Sequence, residues 1–194
     1  MTHPFFTIGH SSRSRDEFAA LLTAADVGLV ADIRKIPRSR ANPQFNAETL
    51  PGTLAAAGIS YEHVAALGGR RGNARTLPPE VNGFWTNRSF HNYADHALSE
   101  EFRAALAHLL ELGHEHRCAM MCSEAVWWRC HRRIVADHLL ARGETVLHIM
   151  GQGRLEPARL TTGAIVRSDE TVVYPAPERP RPEEVKLGTT LEGD

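Results

Sequence analysis

Short runs of apolar residues alternate with segments of helical period from the amino terminus to about residue 150. The apolar runs predict a buried strand at Phe5–Gly9 and four further strands, at Val27–Ile33, Ile59–Val64, Arg117–Met121 and Thr145–Met150. The segments between them predict helices that follow Ser14 and Ser99 as caps, and helices over Asn46–Ala57 and Val126–Arg142. This alternation is typical of mostly parallel sheets that are covered on both faces. The pattern therefore predicts an α/β fold, a single domain with a mostly parallel, Rossmann-like three-layer sheet.

The remaining segments lack this alternation. The region Leu67–Ser89 is rich in Gly, Pro, Asn and Arg and shows no period, which predicts a long loop of the kind that often carries function. Two short β-rich runs at Ala164–Arg167 and Thr171–Tyr174 predict a small C-terminal β-hairpin. A tail rich in proline and charge follows. We therefore expect one α/β domain over residues 1–174 and a disordered tail over residues 175–194.

Composition and charge limit the cellular compartments and the classes of partner expected for this domain. The 194 residues carry a formal net charge of −1, which gives no overall preference for nucleic acid or an acidic membrane. No apolar run approaches the roughly 18 residues of a membrane span, and Phe5–Gly9 is too short for a signal peptide. Three cysteines are an odd number, which disfavours a secreted disulfide framework. We therefore expect a cytoplasmic protein without a membrane partner.

Polar side chains lie at or just after the carboxyl end of each of the five predicted strands. Ligands bind at the carboxyl ends of the strands in open parallel sheets, so these segments are expected to share one cleft. The segments are His10–Arg13, Asp32–Arg40, Gly68–Gly72, Cys122–Glu124 and His148–Gly153. Seven basic residues stand against two acidic ones between residues 34 and 75, which makes this edge locally basic. The pattern predicts a cleft that binds an anion.

The segment Cys122–Arg132 lies at the predicted turn between the fourth strand and the next helix. The exposed amides and positive dipole of a helix start stabilise a thiolate, so Cys122 is a candidate nucleophile. Glu124, His10 and Asp32 are candidates for the other catalytic roles, although Glu124 is equally suited to cap the helix and Asp32 to pair with Arg34 or Arg132. The candidates for holding the substrate are polar or basic side chains of the same edge: Ser11, Arg34, Arg40, Arg70, His131 and Arg132.

A metal site is the rival interpretation of the same segment. Cys122, Cys130 and His131 are suitable ligands for zinc, and His10 or Glu124 would complete a set. However, neighbours on a helix point about 100° apart, so Cys130 and His131 are poorly placed to share one ion on the predicted helix. Cys130 is predicted instead as a small buried packing residue. The sequence therefore assigns no metal ligand and identifies no cofactor.

Several separated motifs follow one another along the chain. They are Thr7–Ser11, Asp32–Arg40, Asn42–Phe45, Leu67–Arg70, Tyr93–Ala94, Cys122–Glu124 and Cys130–Arg132. In this order they resemble the bacterial and archaeal family called domain of unknown function 488, over about residues 5–174. The chain departs from it at Val126-Trp127, where the family often has Asp-Pro, a dipeptide suited to a helix start. The resemblance implies an α/β fold and a cleft built from these motifs, and it supplies no reaction.

These observations favour an enzyme, a hydrolase or a transferase, that acts on an anionic, phosphate-bearing substrate such as a nucleotide in the cleft around Cys122. One alternative is a non-catalytic module that binds a nucleotide or nucleic acid. The local basic charge favours this module and the net charge does not. A second alternative is a metal-dependent hydrolase.

Overall fold

Six strands form the central sheet of the computed structural model, which describes residues 3–73 and 77–177. The strands are β1 (Phe5–Gly9), β2 (Leu29–Asp32), β3 (Ser60–His63), β4 (Cys118–Cys122), β5 (Val146–Gly151) and β6 (Arg154–Pro157). Their order is β3-β2-β4-β1-β5-β6, and every neighbouring pair is parallel except β5 with β6. The prediction of an α/β fold with a mostly parallel sheet is therefore confirmed.

Helices pack on both faces of this sheet. The five α-helices are α1 (Arg15–Ala24), α2 (Leu50–Ala55), α3 (Arg88–His96), α4 (Glu100–Glu115) and α5 (Arg132–Leu140). Phe6 and Ile8 of β1 belong to the apolar core formed with α1 and α2, whereas Phe5 belongs to the core formed with α3, α4 and α5. Every residue of β1 and β4 is buried, as expected for central strands that are covered on both faces.

Helix α1 begins after Ser14, the cap that the sequence predicts. Ser14 Oγ accepts a hydrogen bond from the backbone N–H of Glu17 at 3.2 Å, and Glu17 Oε2 accepts one from the backbone N–H of Ser14 at 2.8 Å. These reciprocal bonds satisfy two amides that the first helical turn leaves without partners. They fix the beginning of α1, so that His10–Arg13 remains a turn at the edge of the sheet.

A separate two-stranded sheet follows the central one. Its strands are β7 (Ile165–Val166) and β8 (Val172–Val173), which pair antiparallel and confirm the predicted hairpin. The next residue, Tyr174, holds the hairpin against the domain, because its hydroxyl donates to Asp137 Oδ2 at 2.8 Å. The predicted disordered tail falls mainly on residues 178–194, which lie outside the described residues.

The helix predicted over Val126–Arg142 begins later than the sequence indicates. A short 3-10 turn starts at Trp127, whose ring stacks on that of His148 with 4.4 Å between the centroids. Cys130 then has an extended backbone, at φ −127° and ψ 147°, and α5 starts two residues further on. Cys130 therefore lies outside the helix, and the helical argument against its sharing an ion with His131 does not apply.

Other elements also differ from the predictions. The region predicted as a loop ends at α3, which was not predicted, and β6 was not predicted either. Asn87 caps α3, because its side-chain oxygen accepts from the backbone N–H of Ser89 at 2.9 Å. The helix predicted after Ser99 is α4, which continues through Gly113 to Glu115. A Cβ on Gly113 would lie 2.0 Å from the ring of Phe5, so this glycine allows close packing.

His138 of α5 should make the unfolding free energy sensitive to acid. Its ring packs against Phe102, and among the residues that the structure describes its Nε2 has no hydrogen-bond partner. Burial, assisted by the charge of Arg142, lowers the pKa of His138 to about 3. The unfolded chain has an ordinary histidine pKa of about 6.5, so it binds the proton first as the pH falls, and stability is lost between pH 6.5 and about 3.

We expect this single group to lower the unfolding free energy by about 2 kcal/mol between pH 7 and pH 5. The substitution His138→Phe should remove that share while leaving the variant folded at pH 7. Urea unfolding of both proteins at the two pH values measures it. An equal pH dependence in the two proteins would contradict the prediction.

The helices of the described residues do not include one that is long and apolar enough to span a membrane.

Candidate functional site

The carboxyl ends of β1, β4 and β2 lie side by side in the sheet. The register pairs Gly9 with Cys122 and Asp32 with Met121. Beyond the strands, the backbone N–H of His10 donates to the carbonyl of Cys122 at 2.9 Å. The loops that follow these three strands are therefore held at one edge of the sheet, as the sequence predicts for an α/β fold.

Gly9 allows two of these loops to approach closely. A Cβ at this position would lie 1.8 Å from the carbonyl oxygen of Glu124 and 3.0 Å from Nη2 of Arg132. That carbonyl in turn accepts a hydrogen bond from Arg132 Nη2 at 2.6 Å. Glycine is thus required at the end of β1 for the segment after β4 to adopt its position.

A cavity of about 390 Å³ opens at this edge, within the range of about 300–1,000 Å³ that small-molecule sites occupy. Its lining contains one acidic residue, Glu124. The basic residues of the lining are Arg34, Lys35, Arg38, Arg70 and Arg129. A concave surface with this excess of cations favours an anionic ligand.

Two of the five cations are neutralised by partners. Arg34 pairs with Asp32, and Arg38 forms an exposed ion pair with Glu48. Among the described residues, the side chains of Lys35, Arg70 and Arg129 form no ion pair. Arg70 also has a left-handed backbone at φ 58°, a conformation uncommon outside glycine and often found at functional sites. These three side chains therefore carry the uncompensated charge of the cavity.

Asp32 is fully buried and all its acceptor sites are occupied. Its Oδ1 accepts from the backbone N–H of Arg34 at 3.1 Å and from the Nε of the same residue at 2.8 Å. Its Oδ2 accepts from Arg34 Nη2 at 2.5 Å and from the Tyr61 hydroxyl at 2.8 Å. A carboxylate has about four lone-pair sites, so Asp32 has none left for a substrate proton. Asp32 instead holds Arg34 in place through three hydrogen bonds.

His10 is held as a neutral ring. Its Nδ1 faces the carbonyl of Ser11 at 2.8 Å, and since a carbonyl only accepts, Nδ1 carries the proton. Its Nε2 then accepts from Arg34 Nη1 at 3.3 Å. Burial, with a smaller contribution from the charge of Arg34, lowers the pKa of His10 to about 4. Both ring nitrogens are therefore engaged within the protein.

The same contacts limit what Arg34 can offer a ligand. A guanidinium has five N–H donors, and the bonds to Asp32 and His10 occupy three of them. A fourth donates from Nη2 to the carbonyl of Phe45 at 2.7 Å. One donor of Arg34 therefore remains for a ligand, which does not suffice for a bidentate contact.

Two thiols and an imidazole form a cluster at the cavity, hereafter the thiol–imidazole cluster, of Cys122, Cys130 and His131. Nδ1 of His131 lies 3.8 Å from Cys122 Sγ and 3.6 Å from Cys130 Sγ. Nε2 of His131 faces the carbonyl of Ile33 at 3.0 Å. In the neutral ring Nε2 must donate to this carbonyl, so Nδ1 presents a lone pair to the two sulfurs.

The two sulfurs have different electrostatic surroundings. Arg132 Nε donates to Cys130 Sγ at 3.2 Å, and Arg132 is itself buried behind this sulfur. Burial alone would raise the pKa of Cys130, but the neighbouring Cys122 thiol and the charge of Arg132 outweigh it and lower that pKa. The interaction with Cys130, together with burial, raises the pKa of Cys122. The contact with Arg132 favours negative charge on the Cys130 sulfur, and a reactive thiolate at Cys122 stays a prediction.

The chain matches a protein-family model. The family model described as "Domain of unknown function DUF488" matches residues 14–139, more than half of the chain. The chain belongs to the DUF488 family. No curated protein and no solved structure matches this chain. The matched part of this DUF488 chain contains the thiol–imidazole cluster, whereas His10 and Ser11 precede it.

The DUF488 chain brings together most, but not all, of the site residues predicted from its sequence. Those that line the cavity are His10, Arg34, Arg70, Cys122, Glu124 and His131. Asp32 and Arg132 lie behind this lining, where they contact Arg34 and Cys130. Neither Ser11 nor the exposed Arg40 is among the lining residues.

The cavity also contains residues that sequence reasoning did not select. They are Lys35, Ile36, Arg38, Ser39, Gly69, Ser89, Phe90, Tyr93, Ser123, Arg129 and Cys130. Lys35 and Arg38 belong to the basic segment after β2, so their charge was the available signal. Tyr93, whose ring lies 4.9 Å from that of His131, belongs to the motif Tyr93–Ala94 of the family resemblance, although its helix was not predicted. For Phe90 on the same helix the sequence offers no signal.

Proposed function

We propose that this DUF488 protein is an enzyme, a hydrolase or a transferase, that acts on a small anionic substrate bearing phosphate, such as a nucleotide. The observation that carries the proposal is the lining of the cavity, where five basic residues surround a cluster of chemically reactive side chains. Arg and Lys bind phosphate through charge-assisted hydrogen bonds, and such bonds are strongest at concave, partly desolvated surfaces.

The contacts suggest a division of labour within the cavity. Lys35, Arg70 and Arg129 hold the anion, because their charges are not paired with acidic residues among those described. Arg34 contributes its remaining donor, with Asp32 as its positioning residue. The exposed carboxylate of Glu124 is the group best placed to transfer protons at the cavity surface.

The thiol–imidazole cluster supplies the reactive group. It favours an enzyme over the alternative of a non-catalytic binding module, because anion binding needs only the cations and gives no role to two thiols beside an imidazole. The volume of about 390 Å³ favours a ligand of mononucleotide size over a nucleic-acid polymer.

Anion binding is tested first with adenosine monophosphate as the probe, by titration calorimetry at low and high salt. We expect the double substitution Arg70→Ala/Arg129→Ala to weaken binding about tenfold or more, since each charge-assisted hydrogen bond contributes about 1.5–3 kcal/mol before solvent screening. Binding by the unaltered protein should weaken as the salt concentration rises.

A matched control is available on the same chain. Arg103 and Arg167 are exposed and lie outside the cavity lining, so Arg103→Ala/Arg167→Ala removes the same charge elsewhere. This control should bind the probe as the unaltered protein does. Equal weakening in both double variants would show a net-charge effect and would contradict a specific anion site at the cavity.

A further inference from the structure

The three ligand atoms of the thiol–imidazole cluster have the spacing of a metal site. Cys122 Sγ, Cys130 Sγ and His131 Nδ1 all lie within 4.8 Å of one another. A tetrahedral zinc site with Zn–S bonds of about 2.3 Å and Zn–N bonds of about 2.0–2.1 Å has edges of about 3.6 Å between nitrogen and sulfur. The two nitrogen–sulfur distances of the cluster are 3.6 and 3.8 Å.

The distance between the two sulfurs of the cluster needs little adjustment for zinc binding. In the same tetrahedral geometry two sulfurs lie about 3.8 Å apart, so sulfurs separated by at most 4.8 Å need to approach by about 1 Å or less. Both cysteines are free thiols. Thiolate sulfur and imidazole nitrogen are the donors that zinc prefers.

His131 is oriented as metal-binding histidines are. Its Nε2 faces a backbone carbonyl, that of Ile33 at 3.0 Å, so Nδ1 is the nitrogen available to an ion. Gly69 lies beside this atom, and a Cβ there would be 2.9 Å from Nδ1. Arg132 donates to Cys130 Sγ at 3.2 Å, an outer hydrogen bond of the kind that supports a thiolate ligand.

We propose that Cys122, Cys130 and His131 bind one zinc-class divalent ion through two thiolates and a neutral imidazole, with the fourth coordination position open to the basic cavity. Each thiol that binds gives its proton to solvent, and two thiolates balance the charge of the ion. Three protein ligands with an open position are typical of catalytic rather than structural zinc sites. This inference concerns the cavity of the proposed function but does not depend on the substrate class.

Metal binding is tested on the full chain, purified with reductant and without chelator and then equilibrated with Zn²⁺. We expect one Zn²⁺ per chain by elemental analysis. Cys122→Ser, Cys130→Ser and His131→Ala should each weaken Zn²⁺ binding by more than about 100-fold, beyond the loss that removal of an outer hydrogen-bond partner causes. Co²⁺ should give the visible bands of a tetrahedral site and a thiolate-to-cobalt charge-transfer band.

The third cysteine provides the matched control. Cys118 is buried in β4 away from the cavity, and Cys118→Ala should keep one Zn²⁺ per chain. The cobalt spectrum of the unaltered chain remains decisive even where a variant fails to fold. Substoichiometric zinc in the unaltered reduced protein, or equal loss in the Cys118 variant, would overturn the site. Neither result bears on nucleotide binding, so failure here is distinguishable from failure of the proposed function.

Discussion

The substitution Asp32→Asn should lower the free energy of unfolding by about 3–5 kcal/mol, a large share of the roughly 5–15 kcal/mol that stabilises a domain. Asn has nearly the shape of Asp but lacks the charge that balances the guanidinium of Arg34. The Arg34 side chain is 6% exposed and that of Asp32 is fully buried, so solvent cannot take over this role. The loss comes from the cation that remains buried without its partner.

Urea unfolding measures this loss as a lower midpoint at an unchanged slope. The double substitution Asp32→Asn/Arg34→Met should recover most of the stability, because it removes both charges together. The exposed pair of Arg38 and Glu48 gives the comparison, and Glu48→Gln should change the unfolding free energy little. A loss in Asp32→Asn as small as that of Glu48→Gln would contradict the buried role of this pair.

Much of the fold follows from the sequence because its signals are local. The buried strands are continuous apolar runs, and the start of α1 is set by Ser14 and Glu17 alone. The placement of polar residues after strands also predicts the edge at which the cavity lies, since parallel strands present their carboxyl ends together.

The rest depends on contacts between distant segments. The backbone at Cys130 is extended rather than helical. It follows the turn in which Trp127 stacks on His148 of β5. That conformation places the Cys130 sulfur beside His131, whereas helical periodicity separates the two side chains. A sequence shows which residues are reactive, but the partner of each sulfur is decided by tertiary packing.

The roles of Arg34 and Arg132 could not be predicted for a related reason. An arginine after a strand is equally suited to bind a ligand or to satisfy buried acceptors. Only the hydrogen bonds to Asp32 and to Cys130 distinguish the two. Charge is visible in the sequence, whereas the number of donors that remain free is a property of the folded chain.

The largest effect on function is expected from the thiol–imidazole cluster. Cys122→Ala and Cys130→Ala should each reduce turnover of a phosphate-ester or nucleotide substrate by about three orders of magnitude or more, because groups that act as one catalytic unit fail together. We expect the same loss of turnover whether the sulfurs react with the substrate directly or hold a metal ion at the site. Glu124→Gln should lower kcat with a smaller change in KM, since proton transfer contributes in the transition state.

Cys118→Ala is the control for these variants. It removes a thiol that is fully buried in β4 outside the cavity, so it should reduce stability by leaving a small void while kcat stays unchanged. Circular dichroism and urea unfolding of all three cysteine variants separate a loss of folding from a loss of chemistry.

Catalysis at the thiol–imidazole cluster is tested by the turnover number of the unaltered protein and its cysteine variants over a panel of nucleotides and phosphate monoesters. We expect turnover of at least one member, its loss in folded Cys122→Ala and Cys130→Ala, and its retention in Cys118→Ala. Adenosine monophosphate binding with no turnover of any panel member would contradict an enzyme and support a binding module. Full turnover in folded Cys122→Ala and Cys130→Ala would contradict the chemistry assigned to the cluster.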